Sequence, residues 1–169
     1  YHFIPEGVTI IGVTGSNGKT TTTTMIYELL KGMNKSVVLG GNIGYPLSEV
    51  VGDLKSGDIL LLEISDHQLI DFKDFKTDIS ILTNIYPTHL DYHGNYDNYK
   101  NVKKKIFNHH TNKNIAILNY SNLDSIELTN DIKVSRIKQA LSKRFRQEQI
   151  ARLGNIHIIY PVLSKQANK

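Results

Sequence analysis

A run of glycine, lysine and threonine near the start of the sequence has the composition of a phosphate-binding loop. Residues 12–22 read G-V-T-G-S-N-G-K-T-T-T and follow an apolar run. The common pattern G-x-x-x-x-G-K-[ST] requires a glycine five residues before Gly18, but that position holds Val13. The sequence therefore has a different form of the loop, T-G-x-x-G-K-T-T.

The order of residues in this loop predicts a nucleotide site at the start of a helix. Gly15 and Gly18 would allow backbone N–H groups to converge on a phosphate. Lys19 would reach the terminal phosphates, and the Thr20 hydroxyl would bind Mg²⁺. The alternative is a glycine turn beside a threonine-rich helix start. The succession of strand, glycine turn, Lys-Thr and helix favours the phosphate site.

An acidic residue and a histidine follow two later apolar runs. Glu63 comes after four apolar residues, and a carboxylate buried there requires a partner such as a Mg²⁺ ion beside the phosphates. The alternative is that Glu63 ends a strand and faces solvent. His89 and Asp91, in N-I-Y-P-T-H-L-D-Y-H, are expected at the same edge. His89 is a candidate metal ligand, and a purely structural role for it is equally open.

Three consecutive lysines, Lys103, Lys104 and Lys105, lie in the middle of a predicted helix. A solvated helix face is the simple interpretation for two of them. Helical spacing places Lys103 beside an apolar stripe that contains Val102 and Ile106, so Lys103 is the candidate that leans inward. Periodicity alone leaves the choice among the three lysines open.

Five short apolar runs bounded by turn residues predict strands that are buried on both faces. They are residues 8–14, 36–41, 58–65, 78–85 and 114–120. Helices are predicted for residues 19–32, 46–54 and 96–109, with a short turn or helix near residues 66–72. This alternation predicts an α/β fold with three α/β/α layers around a mostly parallel sheet, in which ligands bind at the carboxyl ends of the strands.

The composition of the chain limits its class. The sequence has 169 residues, and 40% of them are hydrophobic, which is enough for one ordinary core. It contains no cysteine, no run of 18 or more apolar residues and no apolar leader with a small-residue cleavage site. We therefore expect no disulfide, no thiolate metal site, no membrane association and a cytoplasmic location.

The end of the sequence differs in charge from the rest. Residues 1–132 contain 11 Lys/Arg and 15 Asp/Glu, whereas residues 133–169 contain 9 Lys/Arg and one acidic residue. Apolar residues at positions 134, 137, 141 and 145 predict an amphipathic basic helix. The following I-H-I-I-Y-P-V-L predicts a strand at a sheet edge, because Pro161 has no N–H to donate.

We divide the chain into a partial domain, residues 1–132, and an unassigned tail, residues 133–169, which we expect to pack on the same domain. The alternative is that the basic helix binds nucleic acid or an anionic surface. The tail has no recognised binding motif and no interleaved aromatic residues, which favours packing.

Four motifs in this order resemble the central ATP-binding domain of the Mur ligases, a domain like that of P-loop NTPases. They are G-V-T-G-S-N-G-K-T-T-T-T, G-G-N-I-G-Y-P, L-E-I-S-x-x-Q-L, and T-N-I-Y-P-T-H-L-D-Y-H followed by Y-x-x-x-K-x-x-I. The resemblance spans residues 10–120 and is greatest to members that add D-glutamate to UDP-N-acetylmuramoyl-L-alanine. T-G-x-N-G-K-T-T is this family's own form of the phosphate loop.

The resemblance implies an ATP-dependent amide ligase of peptidoglycan precursor synthesis, with ATP and Mg²⁺ as cofactors. A substrate carboxylate would attack the γ-phosphate of ATP, and an amino acid would then displace phosphate from the acyl phosphate. Lys19 would neutralise the β- and γ-phosphates, and Asn42 would help to position the γ-phosphate. The implied ATP-binding residues are Gly15, Ser16, Asn17, Gly18, Lys19, Thr20, Thr21 and Asn42.

The resemblance also implies the metal ligands. Thr20 and Glu63 would hold one Mg²⁺, and His89 would contact a second. The spacing Y-x-x-x-K-x-x-I selects Lys103 among the three lysines, as a carbamate formed with CO₂ that acts as a further metal ligand. The catalytic residues implied are Lys19, His89 and Lys103.

The sequence departs from the family's pattern in two respects. Members that add D-glutamate read E-L-S-S-F-Q-L where this chain has E-I-S-D-H-Q-L. Ser65 and Gln68, the expected substrate-binding residues, are retained; His67 is similar to the next ligase of the pathway, and Asp66 matches neither. The G-x-H-N-x-x-N segment that contacts adenine is missing, and the sequence has no room for the family's N-terminal and C-terminal domains. We therefore expect a fragment that binds nucleotide without ligating.

Two other functions remain open. One is another Mur or folylpolyglutamate-type ligase domain, although G-N-I-G-Y-P and the serine–glutamine pair favour a Mur substrate over a folate. The other is a non-catalytic module that binds nucleotide or nucleic acid. Binding to a phosphate backbone would weaken steeply with salt, whereas ATP binding through the loop would require Mg²⁺ and Lys19.

Overall fold

The computed structural model describes residues 3–111, 113–119, 121–127 and, for the backbone, 157–161. Its strands are β1 (Thr9–Thr14), β2 (Val37–Gly41), β3 (Ile59–Glu63), β4 (Ile79–Leu82), β5 (Ile115–Leu118) and β6 (His157–Pro161). They form one sheet in the order β2-β3-β1-β4-β5-β6. The first five strands are parallel, and β6 runs antiparallel to β5. The predicted, mostly parallel α/β sheet is confirmed.

Six helices connect or follow these strands in the part of the chain that the structure describes. They are α1 (Lys19–Gly32), α2 (Leu47–Val50), α3 (Asp66–Asp71), α4 (Leu90–His93), α5 (Tyr96–Lys104) and α6 (Leu123–Glu127). Single 3₁₀ turns, Val51–Asp53 and Lys105–Phe107, extend α2 and α5. The short helices α4 and α6 were not predicted, and α5 with its 3₁₀ turn ends before the predicted residue 109.

The helices cover both faces of the sheet because alternate residues of each central strand point to opposite sides. On one face Leu60 and Leu62 pack with Leu69 of α3 and Ile106. On the other face Leu61 belongs to a cluster that includes partly buried residues of α1. Every residue of β3 from Leu60 to Glu63 is buried, as expected for a strand inside a three-layer α/β/α arrangement.

The tail contributes β6, which pairs with β5. His157 of β6 lies opposite Leu118 of β5. Pro161 is its last residue, and an edge strand tolerates a residue without an N–H because one of its sides forms no ladder. The expected edge strand is therefore present. The predicted basic helix lies outside the described residues, and the boundary between residues 132 and 133 stays a prediction.

Candidate nucleotide and metal site

The phosphate loop joins the end of β1 to the start of α1, as the sequence predicted. Gly15 has φ 150° and Gly18 has φ 78°, values that residues other than glycine rarely adopt. A Cβ at Gly15 would also collide with the side chain of Thr83. The first turn of α1 contains no acidic residue, so no carboxylate opposes an anion at this helix N-terminus.

The residues that follow β4 hold the loop in shape. The Ser16 N–H donates to the Asn84 carbonyl oxygen (3.0 Å), and the Asn17 N–H donates to Asn84 Oδ1 (2.9 Å). Thr83 Oγ1 donates to the Asn17 carbonyl oxygen (2.7 Å). The loop is thus fixed by bonds to a neighbouring strand end.

Lys19 lies folded over the loop. Its Nζ donates to the carbonyl oxygens of Gly15 (3.0 Å) and Ser16 (3.1 Å). Thr20 and Thr21, in the first turn of α1, are exposed. A rotation of the flexible Lys19 side chain would exchange two neutral carbonyl oxygens for a charged phosphate, which is a stronger hydrogen-bond acceptor for an ammonium group.

Glu63 ends β3 between the ends of β1 and β2, and 1% of its surface is exposed. Asn42 Nδ2 donates to Glu63 Oε1 (2.8 Å). The other oxygen, Oε2, is buried and has no hydrogen-bond partner among the described residues. A buried carboxylate oxygen without a partner is costly, and a hard cation such as Mg²⁺ would satisfy it.

Glu63 is suited to a metal ion that takes most of its ligands from a bound nucleotide and from water. Within the described ranges, no three or more His, Cys, Asp or Glu side chains are grouped so that they could hold a metal ion. Mg²⁺ is commonly bound through one or two carboxylates together with substrate phosphates and water. The residues present therefore fit a Mg²⁺ ion that arrives with a nucleotide and that Glu63 and the Thr20 hydroxyl would hold.

Lys103 of α5 is the inward-leaning lysine, since it is fully buried while Lys104 is exposed. Its Nζ lies 3.3 Å from Thr14 Oγ1 and 3.4 Å from Asp66 Oδ1, and it lies over the ring of Tyr99. Burial lowers the pKa of Lys103 to about 8, against the charge of Asp66, which raises it. Periodicity left this choice open, and the structure places Lys103 beside the end of β1.

Asp66, the first residue of α3, is buried beside Lys103 and His93, and His67 Nδ1 lies 3.7 Å from its Oδ2. His93 Nε2 lies 2.7 Å from Asp66 Oδ2, while Lys103 approaches Oδ1. Burial raises the pKa of Asp66, but the hydrogen bond from His93 and the charge of Lys103 outweigh it and lower the pKa to about 2. Sequence reasoning missed His93; the one signal for it was that an aspartate stands at a position where the family pattern has none.

His89 lies at the start of α4. It is exposed, it has φ 52°, and its ring centroid lies 5.9 Å from that of His67. Asp91, in the first turn of α4, is also exposed. His89 precedes a short helix that the sequence did not predict, and its contact with a metal stays a prediction.

Ser65 and Gln68 form a capping box at the start of α3. The Gln68 N–H donates to Ser65 Oγ (3.3 Å), and the Ser65 N–H donates to Gln68 Oε1 (2.9 Å). Both side chains therefore satisfy backbone groups at the helix start, as the spacing S-x-x-Q favours. Their expected contact with a substrate stays a prediction.

The sequence of this chain is similar to those of known proteins. The sequence matches the Mur ligase middle domain over residues 13–158. It is 47% identical over 128 residues to the UDP-N-acetylmuramoylalanine--D-glutamate ligase of Streptococcus uberis, covering 76% of this chain and 28% of that protein. The corresponding ligase of Elusimicrobium minutum is 41% identical over 137 residues, covering 78% of this chain and 30% of that protein.

A solved structure supports the same assignment. The MurF ligase from Thermotoga maritima, solved in complex with ADP, is 33% identical, with a TM-score of 0.55, 65% of this chain covered and 27% of that chain. The chain thus spans less than a third of the length of each of these relatives. The described residues contain no helix that is long and apolar enough to cross a membrane. The match over residues 13–158 covers most of the sequence, and the chain belongs to the Mur ligase family through its middle domain.

Proposed function

We propose that this domain binds ATP with Mg²⁺ and serves as the ATP-binding domain of a cytoplasmic ligase of peptidoglycan precursor synthesis. That ligase would add D-glutamate to UDP-N-acetylmuramoyl-L-alanine through an acyl phosphate. The observation that carries the proposal is the unpartnered Glu63 Oε2 beside a preformed phosphate loop. The names of the streptococcal and Elusimicrobium relatives support the choice of substrate.

The chain's own residues would mainly position and neutralise phosphate. Lys19 would leave the carbonyl oxygens of Gly15 and Ser16 and donate to the β- and γ-phosphates. Asn42 holds Glu63 Oε1, so Oε2 would be left to bind the metal. The Mg²⁺ ion, when bound, supplies charge neutralisation at the phosphate oxygens. His89 would contact a second Mg²⁺, and Ser65 and Gln68 would lie near the substrate.

Calorimetric titration of Mg²⁺ and a slowly hydrolysed ATP analogue into the wild type, Lys19→Ala, Glu63→Ala and Lys104→Ala tests this proposal. We expect saturable binding in the wild type that is lost in Lys19→Ala and reduced at least about tenfold in Glu63→Ala, since each variant removes one charged contact. Lys104→Ala, which removes an exposed lysine, should bind as the wild type does. Equal affinities in all four proteins would reject the proposed site.

A further inference from the structure

Asn17 and Gly18 of the phosphate loop form the one Asn-Gly pair in the sequence, and both residues are exposed. Neither the Asn17 side-chain amide nor the Gly18 N–H forms a hydrogen bond with any residue that the structure describes. We propose that Asn17 is a site of spontaneous deamidation, that this reaction ends nucleotide binding by the loop, and that a bound nucleotide prevents the reaction.

The reaction requires only water and the neighbouring peptide group. The Gly18 nitrogen gives its proton to a solvent base and attacks Asn17 Cγ, a C–N bond forms, and the side-chain nitrogen takes up a proton and leaves as ammonia. Water then adds to one of the two carbonyl carbons of the succinimide ring, and one C–N bond breaks. Position 17 becomes an aspartate, or an isoaspartate in which the main chain runs through the side-chain carbonyl carbon.

Gly18 leaves the attacking nitrogen accessible. Glycine has no side chain to cover it, and a Cβ at Gly18 would meet no atom within 4 Å. The peptide group that joins the two residues is held by its carbonyl oxygen, which accepts from Thr83 Oγ1 (2.7 Å) and Asn84 Nδ2 (3.0 Å). We therefore expect Asn17 to react in the folded protein, but more slowly than in the unfolded chain.

Either product would change the loop where phosphate is proposed to bind. The first turn of α1 contains no acidic residue, so an aspartate at position 17 would introduce a negative charge that repels phosphate. An isoaspartate lengthens the main chain, so the Asn17 N–H and carbonyl oxygen would no longer both match Asn84. This consequence rests on the proposed function, whereas the reaction itself does not.

A bound nucleotide would block the reaction at its first step. The backbone N–H groups of the loop, that of Gly18 included, would donate to a bound phosphate. A Gly18 nitrogen held in this way cannot turn to attack Asn17 Cγ. Only the unliganded fraction then reacts, so nucleotide at about 100 times its Kd should slow the reaction about 100-fold.

Peptide mapping after incubation at mildly alkaline pH tests the proposal. Trypsin cleaves after Lys19, and residues 1–19 contain one asparagine and no glutamine, so deamidation of this peptide identifies Asn17. The peptide of residues 32–35, G-M-N-K, is the internal control, since Asn34 is also exposed but precedes a lysine.

The protein is incubated alone, with Mg²⁺ and a slowly hydrolysed ATP analogue, and in urea. We expect Asn17 to react fastest in urea, more slowly in the folded protein, and about 100-fold more slowly again with the saturating analogue. Asn34 should react more slowly than Asn17 in urea and in the folded protein, and the analogue should not change its rate. Gly18→Ala, which covers the attacking nitrogen, should slow the reaction of Asn17 in urea.

Calorimetry measures the consequence for binding. Asn17→Asp reproduces one product, and its affinity for the Mg²⁺–nucleotide complex should fall at least about tenfold, because two negative groups then face each other. The deamidated wild type should show the same loss. Asn34→Asp adds the same charge beyond the end of α1 and should bind nucleotide as the unmodified protein does.

Three results would overturn the proposal. They are an unmodified Asn17 in the folded protein under conditions in which the unfolded chain reacts, equal rates with and without the saturating analogue, and an unchanged nucleotide affinity in the deamidated protein. If the unmodified wild type binds no nucleotide, the proposed function fails. The rates in the folded protein and in urea would still show whether Asn17 is a deamidation site.

Discussion

The Tyr99 hydroxyl lies 2.8 Å from Ser16 Oγ, so a side chain of α5 contacts the phosphate loop directly. Ser16 Oγ also accepts a hydrogen bond from the Tyr86 N–H (2.8 Å). The ring of the same tyrosine lies under the Lys103 ammonium. The loop and the buried ion pair are thus joined through one aromatic side chain.

Tyr99→Phe should loosen the phosphate loop without disturbing the core. The ring stays in place, and only the bond to Ser16 is lost, so we expect the free energy of unfolding to fall by about 1 kcal/mol. Affinity for the Mg²⁺–nucleotide complex should fall as well, because the loop is less well fixed. Urea unfolding and calorimetry measure the two effects. Tyr96→Phe is the matched control, since the Tyr96 hydroxyl bonds to Asp124 and not to the loop. Equal losses of nucleotide affinity in both variants would contradict a role for the Tyr99–Ser16 bond.

Alanine at the two loop glycines should have unequal effects. Gly18→Ala meets no atom within 4 Å and suffers only the strain of a positive φ, about 1 kcal/mol. Gly15→Ala combines a positive φ with a collision against Thr83, so it should cost more than about 2 kcal/mol and abolish nucleotide binding. Gly32→Ala, at the end of α1 and in open space, should leave stability unchanged or slightly higher. Thermal unfolding of the three variants ranks them, and a Gly15→Ala protein as stable as Gly32→Ala would refute the prediction.

The burial of His110 leads us to expect a loss of stability in weak acid. It is buried, its Nε2 lies 2.8 Å from Ser80 Oγ, and its Nδ1 has no hydrogen-bond partner among the described residues. Burial, together with the charge of Lys76, lowers the pKa of His110 from 6.5 to about 4. Because the pKa of His110 is lower in the folded protein than in the unfolded chain, neutral His110 contributes fully to stability above pH 6.5. This contribution is lost as the pH falls from 6.5 to about 4.

We expect the free energy of unfolding to fall by about 3 kcal/mol across that window because of His110. Urea unfolding at several pH values should show a weaker dependence in His110→Gln. His109→Gln removes an exposed histidine and should keep the wild-type slope. Asp66 also contributes to the pH dependence of stability, but its pKa of about 2 means that this contribution is lost at more acidic pH than that of His110. An unchanged slope in His110→Gln would show that other groups cause the loss.

The Asp66–Lys103 pair should be strongly coupled. Asp66→Asn leaves a buried ammonium group without its anion and should cost about 3 kcal/mol or more. Replacing both residues, as Asp66→Asn with Lys103→Met, removes the uncompensated charge, so the double variant should lose less stability than the sum of the single variants. Urea unfolding of the three proteins gives the coupling. Asp97→Asn, which breaks the exposed pair with Lys100, is the control and should have no measurable effect on stability. If the stability losses of Asp66→Asn and Lys103→Met simply add in the double variant, the two residues do not form an ion pair.

The helix α1 was predicted with its observed bounds because glycine and Lys-Thr mark its start and a glycine ends it. The predicted strands were longer than the observed ones, mainly at their carboxyl ends, where Ser65 caps α3 and Thr83 and Asn84 bond to the phosphate loop. The contact between Asp66 and His93 could not be predicted, since it joins two helices that are distant in sequence and leaves no periodic pattern. Likewise, only the structure shows that Glu63 Oε2 lacks a partner, because burial and hydrogen bonding depend on neighbouring strands.

Strand β1 lies in the middle of the sheet, yet both of its partners come much later in the chain. Thr9 pairs with Ile59 of β3, and Ile11 pairs with Ile79 of β4. Pairings between residues so far apart in sequence form slowly, because a long loop must be closed before any contact repays its entropy. During synthesis, β1 therefore has its first partner only when β3 has left the ribosome, and its second partner only when β4 has. A nascent chain that stops before Thr83 and Asn84 would carry the loop sequence without the bonds that give it its shape.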